Sequence, residues 1–68
     1  MANKQDLIEL TETLLNVHLL AINQCQRKAL EASEKGDMAA CAVALRQQDK
    51  AILDAQSTST ALQKLLNS

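Results

Sequence analysis

Gly36 is the only glycine in a chain of 68 residues that contains no proline. The stretches on either side of it therefore run without a strong helix breaker. Lys35-Gly36-Asp37 has the chemistry of one helix ending and another beginning. Glycine suits the left-handed position just past a helix, aspartate suits an N-cap, and Lys35 sits where the helix dipole favours a cation. Near the start, Asn3 with Asp6 three residues on has the form of a capping box. The sequence predicts two helices, at about 4–35 and 38–66, with the turn at Gly36.

Composition supports an all-α reading. There is no Phe, Trp or Tyr, and Ala, Leu, Gln, Lys and Glu dominate. These are good helix formers, whereas β-branched and aromatic residues, which favour strands, are scarce. With 47% hydrophobic residues the chain is too apolar to be a disordered tail. No linker, repeat or low-complexity block divides it, so residues 1–68 are expected to form one domain. The run Ser57-Thr58-Ser59-Thr60 is the weakest helical segment, because hydroxyl side chains compete for backbone hydrogen bonds. Leu62 and Leu66 stay in phase with Ile52 beyond it, which favours one continuous second helix.

Heptad spacing gives each helix a seam. In the first helix the columns are Ile8, Leu15, Ile22, Ala29 and Thr11, His18, Cys25, Ala32. In the second they are Met38, Leu45, Ile52, Ser59, Leu66 and Cys41, Gln48, Ala55, Leu62. Folding at Gly36 brings the seams together antiparallel. Ala29 is then expected opposite Leu45, Ile22 opposite Ile52, Leu15 opposite Ser59 and Ile8 opposite Leu66.

One seam does not account for the first helix. Leu7, Leu10, Leu14, Val17 and Ala21 form a second stripe, so the apolar arc covers more than half of the helix. A core below roughly 70–80 residues is also thin without disulfides, metal or oligomerisation, and aromatics, which bury the most area per residue, are absent. A second copy would cover the stripe. The expected assembly is a homodimer, two hairpins forming a four-helix bundle with those five residues at the dimer interface.

Little points to chemistry. His18, Cys25 and Cys41 are spread over several turns and do not make a zinc set. The bland reading of His18 is a packed, hydrogen-bonded imidazole opposite Ala55, and that of the cysteines is small buried hydrophobes. An intrachain disulfide is not expected, because the two fall in different layers of the seam. There is no phosphate-binding glycine loop, no nucleophile–histidine–carboxylate set and no cleft with paired carboxylates. No enzyme activity, cofactor or metal is expected. The residues Met1–Asp6 lack the form of a signal peptide, and Thr13–Gln26 is too short and polar to span a bilayer. Two cysteines without a leader pattern fit a reduced cytoplasmic setting.

The net charge is −1. Arg27–Glu31 and Glu31–Lys35 have the i,i+4 spacing of helix-supporting pairs. Arg46, Lys50 and Lys64 lie on the outer side of the second helix, interrupted by Asp54. Without aromatics to stack on bases and with no strong basic excess, nucleic acid is disfavoured as a partner. The acidic start of the first helix, with Asp6 and Glu9, and the apolar Leu20 on its polar side are the candidate partner-binding residues. Val43 and Leu65 read as further apolar residues on the outside. The leading expectation is a homodimeric protein-interaction module: a regulator or inhibitor docking on another protein such as a transcription regulator, in the manner of phage-encoded factors that block host proteins. The alternatives are a small helical chaperone of the secretion or flagellar type and an RNA-binding hairpin dimer. All three rest on fold-level analogy.

Overall fold

The turn is built as its residues dictate. In the computed structural model, which describes residues 3–68, Gly36 adopts φ 74°. The Asp37 N–H donates to the Ala32 carbonyl at 2.8 Å and the Gly36 N–H to the Ser33 carbonyl at 3.0 Å. This pair of bonds is a Schellman motif, which satisfies carbonyls left open at a helix end. The Asp37 side chain then accepts from the Ala40 N–H at 3.0 Å and starts the next helix. One aspartate thus closes one helix through its backbone and opens the other through its carboxylate.

The two helices are α1, Lys4–Glu34, and α2, Met38–Asn67. There is no strand among the described residues; Met1 and Ala2, included in the expected single domain, lie outside them. At the start of α1, Asn3 Oδ1 accepts from the Asp6 N–H at 2.9 Å, and the Asp6 carboxylate accepts from the Asn3 N–H at 3.4 Å. The capping box is therefore formed. α2 runs unbroken through Ser57–Thr60, with Thr60 Oγ1 donating to the Gln56 carbonyl at 3.0 Å. At the open end Lys4 Nζ donates to the Ser68 carbonyl oxygen. The hairpin measures 50 × 15 × 14 Å, a rod one helix long.

The seam of α1 is the expected one: Ile8, Cys25, Ala29 and Ala32 are buried, and Thr11, Leu15, His18 and Ile22 are half-buried. The seam of α2 needs a correction. Cys41, Gln48, Ala55 and Leu62 lie in it as expected. The second column, however, is Ala44, Ala51, Thr58 and Leu65, one residue before the expected Leu45, Ile52, Ser59 and Leu66. Met38, Leu45 and Leu66 are exposed, while Ile52 and Ser59 are half-buried on the flank. Leu65, expected outside, is half-buried in the seam.

Counted outward from the turn, Ala29 now stands level with Ala44, Ile22 with Ala51, Leu15 with Thr58 and Ile8 with Leu65. Small side chains let two helices approach closely, so more of each backbone and its Cβ atoms are in contact. A leucine at the Ala44 position would hold the helices apart. The core is accordingly made of five alanines, Cys25, Ile8 and Thr58, and no large side chain is fully buried.

Candidate interaction surfaces

A narrow alanine seam leaves large aliphatic side chains outside. Leu7, Leu10, Leu14, Val17, Leu19, Leu20 and Leu30 on α1, and Met38, Val43, Leu45, Leu53 and Leu66 on α2, are all exposed. Their distribution follows from two grooves that flank the seam near the turn. The first is lined by Lys28, Glu31, Lys35, Ala40, Val43 and Gln47, with Ala32 and Ala44 on its floor. The second is lined by Gln26, Leu30, Ser33 and Leu45, with Ala29, Cys41 and Gln48 on its floor.

Residues seven apart keep nearly the same side of a helix, so each groove extends into a face of the hairpin. Leu7, Leu14 and Ala21 fall in the column of Lys28, and Leu10 and Val17 in that of Glu31. The five residues expected at a dimer interface therefore share the first face. Leu7, Leu10, Leu14 and Val17 are exposed there, with Leu10 at 66%, and Ala21 is half-buried. Lys50 and Lys64 fall in the column of Val43, so this face also carries Lys28, Lys35, Lys50 and Lys64 beside Glu31 and Asp54.

The second face holds an apolar stripe that the heptad reading placed in the seam. Met38, Ile52 and Leu66 share the column of Leu45, and Leu19 that of Gln26. With Leu30 they form a broad apolar surface toward the turn. Glu12 lies in the column of Gln26, Glu9 in that of Leu30, and Asp49 adjoins Leu45 and Ile52 one helical turn away. No lysine or arginine of the described residues falls in these columns.

The candidate partner-binding residues Asp6, Glu9 and Leu20 are all exposed. They do not form one cluster. Asp6 is engaged in the N-terminal cap, Glu9 faces the second groove's side, and Leu20 stands on the outer ridge some 21 Å along the axis from Asp6 at 1.5 Å per residue. Leu53 is the equivalent outer leucine of α2; it is 64% exposed and the heptad reading overlooked it.

His18 is half-buried on the seam and makes no side-chain hydrogen bond among the described residues, so its imidazole packs without the hydrogen bond expected of it. Cys25 is buried, Cys41 half-buried, and both are free thiols. No group of three or more His, Cys, Asp or Glu among the described residues is placed to hold a metal ion. No helix among them is long and apolar enough to cross a membrane.

The fold and these surfaces define a class, an antiparallel helical hairpin with two apolar faces. No family model, curated protein or solved structure matches the chain.

Proposed function

We propose that the protein is a small, non-enzymatic interaction module that self-associates through the first face and docks on another protein. The observation that supports this is the division of the apolar residues: the hairpin seam takes alanines, and the large aliphatic side chains stand outside it. Exposed contiguous apolar surface of this kind marks an interaction site. In the dimer, two copies of α1 cross antiparallel with the two-fold axis near Leu14, so that Leu7 of one meets Ala21 of the other and Leu10 meets Val17. This self-complementary stripe is what a two-fold interface requires, and the assembly is a four-helix bundle. The docking function is that of a cytoplasmic regulator or inhibitor acting on a protein target, a transcription regulator or another host factor of the kind phage proteins block.

The second apolar face favours a second reading, a small chaperone that holds a helical segment of a secretion or flagellar subunit. An RNA-binding dimer is the least supported of the three. Glu31 and Asp54 interrupt the lysines of the first face, and there is no aromatic to stack on a base.

Affinity capture from the source cell, with the wild type beside Leu20→Asp and Glu9→Lys, tests docking. A single folded protein retained by the wild type and lost by the variants supports the regulator. Retention of unfolded export subunits supports the chaperone instead, and retention of RNA that washes off steeply with salt overturns both.

A further inference from the structure

We infer that the second face is the seat of one amphipathic helix with basic flanks, supplied by the partner. This deepens the docking reading and rests on it. The argument begins with the shape. Leu19 and Leu30 of α1 and Met38, Leu45 and Ile52 of α2 border a groove whose floor is small or polar: Ala29, Cys41 and Gln48. A groove between two parallel ridges of aliphatic side chains accepts the apolar stripe of a third helix. Measured outward from the turn, the bordering residues extend over about 16 positions of α1, or ~24 Å, enough for four to five turns of a guest helix.

Charge then selects the guest. The ionised residues in the columns of this face are Glu9, Glu12 and Asp49, all acidic. Lys28, Lys35, Lys50 and Lys64 are on the opposite face, and Arg27 and Arg46 take the outermost ridges of their helices. A guest with lysines or arginines beside its apolar stripe meets only opposite charge, whereas one with acidic flanks is repelled. A second copy seated isologously on this face would bring carboxylates against carboxylates, which disfavours the chain itself as the occupant.

The test uses an 18-residue synthetic peptide with a leucine stripe and lysine flanks, a matched peptide with glutamate flanks, and the full protein. The basic peptide is expected to bind at least tenfold more tightly by fluorescence anisotropy and to gain helicity on binding. Cys41 lines the groove and reports occupancy, so its alkylation should slow when the basic peptide is bound. Leu45→Glu should remove binding without changing the mass measured by light scattering. The double variant Glu12→Lys, Asp49→Lys leaves every apolar contact in place and should reverse the peptide preference. Equal affinity for the two peptides, an unchanged preference in the double variant, or unslowed alkylation overturns the inference. A fall in mass with Leu45→Glu overturns it by assigning this face to self-association, and concentration-dependent polymers do so by seating another copy's lysine face there. If the wild type is a monomer that still binds the basic peptide, the dimer fails and this inference stands.

Discussion

Ala44 and Leu45 are adjacent in sequence and belong to different surfaces. Ala44 is the most buried residue of the hairpin, at 4% exposure, and Leu45 is 47% exposed at the edge of the second groove. This one-residue step decides which side chains hold the hairpin together and which are left for a partner. Ala44→Leu forces extra methylenes into the narrowest part of the seam, where overpacking costs about 1–3 kcal/mol. Leu45→Ala removes a side chain that the seam does not use. Thermal unfolding followed by circular dichroism should show a clear loss of stability for Ala44→Leu and a much smaller one for Leu45→Ala. The reverse order would place Leu45 in the seam.

The heptad pattern located every seam position of α1 and half of those of α2, and its error is instructive. Pattern reading rewards size. Met38, Leu45, Ile52 and Leu66 form a more hydrophobic column than Ala44, Ala51, Thr58 and Leu65, so they were assigned to the core. Between only two helices close approach wins, and alanine permits it. The same substitution hid the second apolar face, since its leucines had already been spent on the seam. The α1 stripe was legible because Leu7, Leu10, Leu14, Val17 and Ala21 are extra to a seam that was already full. The caps and the turn were legible because Asn3, Asp6, Gly36 and Asp37 act through local backbone geometry.

Gly36 has φ 74° and open space where a Cβ would stand, with nothing within 4 Å. Gly36→Ala therefore meets no clash, and its penalty is that of the left-handed backbone alone, about 1–2 kcal/mol. Gly36→Asn should lose less, because asparagine tolerates this conformation. Equilibrium urea unfolding of the two variants checks the order, and equal losses would count against a purely conformational penalty.

Asp37 caps α2 through its carboxylate while its backbone N–H closes α1. Asp37→Ala keeps the backbone bond to Ala32 and deletes only the side-chain cap, for a loss of about 0.5–2 kcal/mol. Asp37→Ser restores an N-cap acceptor and should recover most of it. The comparison in chemical denaturation separates the two roles of the residue, and no recovery with serine would show that the carboxylate acts in some other way.

The proposed two-fold axis near Leu14 has a direct chemical consequence. Leu14 is exposed on the first face of each hairpin and would sit beside its own mate in the dimer. Two cysteines bridge only when their Cα atoms lie within about 7 Å. In a chain with Cys25→Ala and Cys41→Ala, Leu14→Cys should therefore form an interchain disulfide under mild oxidation. Leu20→Cys, on the outer ridge, should not. Leu14→Asp should halve the mass of the wild type measured by light scattering, from twice the 7.4 kDa of one chain to a single copy. Cross-linking through position 20 but not 14 would move the interface to the outer ridge of α1. A wild type that is already monomeric at high concentration would remove the dimer altogether.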